Sequence, residues 1–290
     1  MQAEQLLVSV LMTAYNREKF IGEAIESVLA STYTNFELII VDDLSVDGTV
    51  EIAQSFAAKD QRIRVYKNER NLGDYGNRNK AASFAKGDYL MYVDSDDQIL
   101  YNGIELCVSA MQMFPEAGFG IHVKGSDTSN PVLINPTKAI HEHFFDQPFL
   151  VCGPGGTIQK RSFFKSIGEY PTKYGPANDM YYNLKAASQA SIVKLPFDFM
   201  IYRRHEGQEI NNQFSYLSNG YLYLRDAIKE LNLPITEDAK RWILKKNDRR
   251  MVVNLAMFFF RGFNLKKTIK VIKKTEFSLM NFVNGVFHIN

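Results

Sequence analysis

Cysteine is nearly absent. The chain has only Cys107 and Cys152, too few for a disulfide framework and without metal-type spacing. Both read as reduced, structural residues, which points to the cytoplasm. Long apolar runs are also missing. No stretch approaches the ~20 apolar residues that span a bilayer, and the longest late candidate, LAMFFF (Leu255 to Phe260), is stopped by Arg261. The N-terminus lacks the basic start of a signal peptide, since Glu4 stands where positive charge belongs and LLVSVLMT reads as a strand. No GxGxxG follows that strand, which disfavours a dinucleotide-binding fold. No GxxxxGK[ST] occurs either, so phosphates are not cradled by a P-loop. There is no internal repeat and no low-complexity linker.

What is present is ordinary for a soluble globular protein: 290 residues, 46% apolar and 23% charged. That length supports a sizeable core, as one large domain or a domain with an extension. The net charge of +2 conceals an asymmetry. Residues 241–290 carry 11 Lys and Arg against 2 Asp and Glu, whereas residues 1–240 carry 23 against 30. A basic tail follows an acidic body, so the two face different partners.

The first hundred residues alternate strand and helix patterns. LLVSVLMT (Leu6 to Thr13), FELIIV (Phe36 to Val41) and DYLMYV (Asp88 to Val93) are short apolar runs suited to buried parallel strands, with RIRVYKN (Arg62 to Asn68) a shorter one. Between them, Arg17 to Ala30, the segment after LSVDG, and Gly73 to Lys86 carry helical spacing. This order predicts an α/β fold: a mainly parallel, twisted sheet flanked by helices, Rossmann-like in its nucleotide-binding half. The middle, 118–160, is less regular. A short helix is expected to end at Gly168, another to follow YGPAND, and a strand to leave into a loop across Asp198 to Gln208. From Tyr216 onward the pattern is helical and basic.

Ligands of open α/β sheets bind outside the carboxyl ends of the strands. Three strands here end in polar groups: Thr13 to Asn16, Asp42 with Asp43, and Asp94 to Asp97. An aromatic such as Tyr15 can stack on a base. A carboxylate can accept from a base imide or a ribose hydroxyl, and a D-x-D arrangement can hold Mg²⁺ or Mn²⁺. Together these are parts for a nucleoside diphosphate. The bland reading of each, a solvated acidic turn or a helix cap, weakens when all three share one edge. His141-Glu-His143 has no third ligand in view and reads as a loop. The Gly155-Gly156 pair reads as a turn.

The ordered set TAYN, VDDLSVDGT, NRN and YVDSDD, continuous from about Val8 to Asp97, resembles the family 2 glycosyltransferases, inverting enzymes of the GT-A fold. Weaker matches lie at GGTIQKRSFFKSIGEY, NDMYYNLKAA and YRRHEG. The resemblance implies that Thr13 and Tyr15 surround the nucleotide base with Asp43 accepting from it. It implies that Arg78 reaches the base or pyrophosphate, and that Asp94 contacts the ribose or a metal-bound water. Asp96 would be the direct metal ligand, Asp97 the second choice, and His205 would complete metal or pyrophosphate binding. Asp179 occupies the position of the catalytic base. Two departures stand out: Asn178 where many relatives carry an acid, and Ala81 where a glycine is common.

The resulting expectation is a metal-dependent inverting transferase in residues 1–210, with a donor half (1–100) and an acceptor half (101–210), and a helical basic extension in 211–290. The donor is a nucleotide sugar. An acidic residue at the base site suits the imide of uracil, so UDP is favoured, although thymine offers the same group. The acceptor is a carbohydrate or a lipid-linked one, as in surface polysaccharide or glycolipid assembly. The rivals are a nucleotide-sugar-binding scaffold without catalysis and a nucleotidyltransferase. The latter would need a Gly-rich basic loop after strand one, where this chain has TAYNREK. In the tail, Met251, Leu255, Phe258, Phe259, Leu265, Ile269 and Ile272 alternate with basic residues. Such a helix either packs on the acidic body or lies on an anionic membrane, and the sequence favours peripheral membrane contact. Nothing beyond charge points to nucleic acid.

Overall fold

A computed structural model of the chain describes residues 6–125, 128–205, 213–262 and 265–287. Glu206, the boundary expected between 210 and 211, and the Phe258 side chain lie outside the described residues.

The chain begins β1 (Val8–Ala14), α1 (Ile21–Leu29), β2 (Phe36–Asp42), α2 (Thr49–Ala57), β3 (Ile63–Lys67), α3 (Asp74–Phe84) and β4 (Tyr89–Tyr92). There follow β5 (Gln98–Ile99), α4 (Gly103–Gln112), β6 (Phe119–His122), β7 (Val132–Ile134) and α5 (Pro136–Phe145). Then come a 3₁₀ turn (Pro154–Gly156), β8 (Thr157–Lys160), α6 (Arg161–Ile167), a second 3₁₀ turn (Gly175–Ala177), α7 (Asn178–Gln189), β9 (Ile192–Leu195) and β10 (Met200–Ile201). Four helices complete it: α8 (Gln213–Glu230), α9 (Glu237–Gly262), α10 (Leu265–Thr275) and α11 (Leu279–Phe287).

The main sheet has the order β3-β2-β1-β4-β8-β6-β9-β7. Its first four strands are parallel, β8 runs against both β4 and β6, β9 is parallel to β6, and β7 closes the edge antiparallel. Successive residues of a strand point to opposite faces, and the core divides accordingly. Leu11, Ile39, Val41, Leu90 and Tyr92 pack on one side with α3 and α7. Val10, Met12, Leu38, Ile40 and Met91 pack on the other with α1 and α4. Both sides are covered by helices, which is why these strands carry no polar face. At about 1.5–3 kcal/mol for each fully buried apolar side chain, this sheet is a rigid platform for whatever its strand ends hold. A third, smaller core of Tyr221, Met251, Leu255, Val271 and Phe277 joins the last helices.

Helix α1 starts at Ile21 rather than Arg17. Arg17 instead caps a turn, its backbone N–H donating to Thr49 Oγ1 (2.7 Å). The His141-Glu-His143 stretch is a correction: it lies on α5, not in a loop. Asn135 accepts from Lys138 N (2.9 Å) and Pro136 opens the first turn, together a strong helix start. His143 is buried, accepts from Leu150 N at Nδ1 (3.1 Å), and burial pushes its pKa down to about 4. It is a packed core histidine.

Candidate functional site

Strand register delivers the polar groups to one edge. β1 pairs with β2 so that Thr13 lies beside Val41 and Ala14 beside Asp42, and Leu11 lies beside Tyr92 of β4. Tyr15, Asp43 and Asp94 therefore leave the sheet together. Ser95 Oγ donates to the Thr13 carbonyl (2.7 Å), tying the ends of β1 and β4. The result is a cleft of about 670 Å³ whose walls include Thr13, Tyr15, Asp43, Arg78, Asp94, Asp96 and Asp97. Tyr15 stands at its rim, 49% exposed. Asp179 and His205 are not among the lining residues, although Asn178 is.

Asp43 is buried and already engaged. Its carboxylate accepts from Asn68 Nδ2 (2.8 Å), Leu72 N (2.8 Å) and Gly73 N (2.9 Å). It thereby holds the 71–73 loop that enters α3, where Gly73 adopts φ +75°, a conformation a side chain would strain. Whatever else Asp43 accepts from, it also shapes this wall.

The acidic turn after β4 is the densest part of the site. An oxygen from each of Asp94, Asp96 and Asp97 lies within 4.8 Å of the others, an all-oxygen set suited to a hard divalent cation. Arg78 is buried on α3 and joins two carboxylates, Asp94 Oδ1 from Nη1 (2.6 Å) and Asp74 Oδ1 from Nε (2.9 Å). Burial opposes its charge, but Asp74 and Asp94 outweigh that and hold the guanidinium firmly protonated. The rings of Tyr75 and Tyr92 flank it at 5.7 and 5.6 Å. Asp96 Oδ2 accepts from Arg17 Nε (3.1 Å) and His205 Nε2 (2.9 Å). His205 stacks on Phe20 with centroids 4.6 Å apart. So His205 stands behind Asp96, in contact with the proposed ligand rather than on the cleft wall. Asp97 is buried, its Oδ1 accepting from Arg203 N (2.9 Å). Burial lifts its carboxyl to about 7, opposed by that N–H and reinforced by Asp94 and Asp96.

Asp179 is the second residue of α7 and only 8% exposed. Burial pushes its carboxyl up to about 7, against the pull of the Met180 N–H, the Arg78 guanidinium and the Tyr75 hydroxyl. It forms no ion pair with Lys, Arg or His among the described residues. Asn178 is fully employed beside it: Oδ1 accepts from Tyr174 N (2.9 Å) and Nδ2 donates to the Gly175 carbonyl (2.6 Å). The amide closes a turn at Gly175 (φ +52°) that a carboxylate, lacking a donor, could close only in part.

Sequence reasoning missed Arg17, Arg203 and Tyr75. Arg17 directly follows TAYN, inside the stretch that carries the resemblance. Arg203 reads as a solvated loop charge, yet its guanidinium reaches the Asp96 carbonyl (2.5 Å), Phe20 carbonyl (3.1 Å) and Glu23 (2.6 Å). It clamps the segment after β10 onto the acidic turn. No local pattern reveals that, because its partners are more than a hundred residues away in sequence.

A family model described as Glycosyl transferase family 2 matches residues 9–168. The UDP-Glc:alpha-D-GlcNAc-diphosphoundecaprenol beta-1,3-glucosyltransferase WfgD of Escherichia coli is 40% identical over 108 residues, 37% of this chain and 42% of that one. Such matches span roughly a third to two fifths of the length of the curated relatives. The backbone is similar over nearly its whole length to S. aureus TarS 1–349 in complex with UDP-GlcNAc, with TM-score 0.69, 21% identity, and coverage of 96% of this chain and 81% of that one. It is also similar to the mannosyltransferase PcManGT from Pyrobaculum calidifontis, solved with GDP-Man and Mn²⁺, with TM-score 0.68, 16% identity, and coverage of 99% and 89%. The fold is the GT-A-like α/β arrangement with a helical C-terminal region.

Proposed function

We propose that this chain, which belongs to glycosyl transferase family 2, moves a sugar from a nucleoside diphosphate donor to a hydroxyl acceptor with inversion. The observation that carries this reading is one cleft joining three strand ends and a three-carboxylate cluster, with the buried Asp179 next in sequence to the lining residue Asn178. Residues 1–100 would hold the donor and 101–210 the acceptor, while 211–290 form the helical extension.

In this reading Tyr15 and Thr13 flank the base. Asp43 fixes the 71–73 wall and can accept from an imide N–H, which suits uracil. WfgD and TarS, named for UDP-Glc and solved with UDP-GlcNAc, support a UDP-sugar. Asp94, Asp96 and Asp97 fit Mn²⁺ or Mg²⁺ by their hard oxygen donors and close spacing. When bound, such an ion supplies Lewis-acid stabilisation of the diphosphate leaving group. Arg78 adds fixed positive charge at the same edge. Asp179 takes the proton of the acceptor hydroxyl as its oxygen attacks the anomeric carbon and the bond to the diphosphate breaks. A carboxyl held near 7 by burial is a stronger base than a solvated one, which fits that task. An acceptor carried on a lipid, as WfgD's name describes for that protein, fits an enzyme of surface polysaccharide assembly.

The test is calorimetric titration of the protein with UDP, GDP and dTDP, each with Mn²⁺ and with EDTA. Tight, metal-dependent binding of UDP is expected. Binding of none would end the reading as an active transferase. The anomeric configuration of the product, read by NMR, decides inversion.

A further inference from the structure

Helix α11 is built inside out. In LMNFVNGVF the apolar residues Leu279, Met280, Phe282, Val283, Val286 and Phe287 are exposed, Leu279 by 80% and Phe287 by 74%. Its polar and small residues face the protein. Asn281 Nδ2 donates to both oxygens of buried Asp248 on α9 (3.2 and 3.1 Å). Gly285 meets the Asp248 backbone so closely that a Cβ there would sit 2.8 Å from it. An ordinary surface helix buries the opposite face. Here the orientation is fixed by the hydrogen bonds and the close crossing, so the apolar face stays outward.

The preceding helix, joined to α11 by residues 276–278 and packed against α8 and α9, adds positive charge. It buries Thr268, Val271 and Thr275 and exposes Leu265 and Ile269 together with Lys266, Lys267, Lys270 and Lys273. From 249 to 287 the single acid is Glu276. Among the described residues no helix is long and apolar enough to cross a membrane.

We infer that α11 and the outer face of α10 form a docking surface for an anionic lipid bilayer: α11 enters the headgroup layer with its apolar face and the α10 lysines pair with lipid phosphates. An apolar face beside cations matches such an interface, where both components act together. A second copy of this chain would present the same lysines and repel. The surface lies on the last helices, apart from the donor cleft, so the inference stands without the transferase reading.

Flotation with vesicles of phosphatidylcholine alone, or mixed with phosphatidylglycerol, tests it on the full chain. Binding to the mixed vesicles only is expected, weakening with salt. Leu279→Ser with Phe287→Ser should reduce binding at least about tenfold. Lys266→Gln with Lys273→Gln should weaken it about fivefold per lysine. All four side chains are exposed, and circular dichroism should give unchanged melting. Equal or absent binding to the two vesicle types would overturn the inference, as would variants that bind like the parent. So would a parent dimer in size-exclusion light scattering that these substitutions dissociate without any lipid binding. UDP titration of the same variants should match the parent; loss of UDP binding in the parent itself counts against the transferase reading alone.

Discussion

Asp94 and Asp96, in the acidic turn after β4, stand against nitrogen donors, whereas Asp179 at the start of α7 is buried beside Asn178 of the cleft wall without an ion pair among the described residues. Asp96 is answered by two nitrogen donors on one oxygen, Arg17 and His205, and Asp94 by Arg78. Asp179 has a phenol and a backbone N–H near it, with Arg78 contributing only at a distance, and burial prevails. A carboxylate whose oxygens already face nitrogen donors can exchange one of those partners for a metal ion. A carboxylate buried without an ion pair is kept willing to hold a proton. In the proposed function the same residue type would serve metal binding at one place and base catalysis at the other, and experiments can press on that contrast.

The sharpest break comes from Asp179→Asn. If Asp179 is the base, turnover should fall about 10²–10⁴-fold while calorimetric UDP affinity with Mn²⁺ stays within about twofold of the parent. Retained turnover would remove Asp179 from the chemistry. Asp96→Asn should do the reverse in binding. Losing a ligand of the Lewis acid is worth several kcal/mol, so turnover should fall about 10³-fold. The EDTA-sensitive part of UDP binding should vanish as well. Unchanged metal dependence would move the cation elsewhere.

The pH dependence bears on Asp179 and, through the same burial, on Asp97, whose carboxyl is also lifted to about 7. A base must be free of its proton, and the Asp179 carboxyl titrates at about 7. Rate should therefore rise about tenfold per pH unit below 7 and level off above it. Stability runs the other way. The folded chain keeps a proton that the unfolded chain releases near 3.8, so the full stability exists below 3.8 and declines as pH climbs to 7. Asp179→Asn escapes that decline. It should melt higher than the parent at pH 8, with the gain shrinking toward pH 4. A variant that melts lower at pH 8 would show that the carboxylate is satisfied rather than strained by burial.

How much of this contrast was legible in the sequence follows from distance along the chain. The strands of the first hundred residues, their parallel order and the three polar ends were all readable, because apolar runs and the residues that end them are local features. Asp94, Asp96 and Asp97 are contiguous, so their clustering needs no fold. The partners of Asp96 were only half visible. His205 is marked only by the resemblance, and Arg17, directly after TAYN, carries no local mark of its contact with Asp96. Arg203 looks solvent-facing in sequence because its contacts with the acidic turn, Glu23 and Phe20 exist only once the chain has closed over 107, 180 and 183 residues. α5 is the opposite case, since its Asn135-Pro136 start is a local signal and His141 and His143 lie on the helix it opens. In α11 the spacing shows an amphipathic helix, but only the Asn281–Asp248 contact shows which face turns outward.

The smallest effect concerns Arg17, and it tests whether its pairing with Asp96 is a placeholder. Its Nε sits 3.1 Å from Asp96 Oδ2, on a partly exposed pair, and the same guanidinium holds the Tyr15 and Asn16 carbonyls. A divalent cation seated on Asp96 Oδ2 has to share or take that oxygen. Partly exposed ion pairs contribute roughly 0.2–1 kcal/mol, so removing the competitor should strengthen cation binding by no more than about fivefold. Arg17→Gln should therefore bind Mn²⁺ more tightly than the parent in the absence of nucleotide, as read from the electron paramagnetic resonance of free Mn²⁺. Weaker Mn²⁺ binding would mean that Arg17 positions Asp96 for the cation. Unchanged binding would mean that the cation does not sit on that oxygen, and the contrast between the two carboxylate sites would then rest on Asp94, which Arg78 holds.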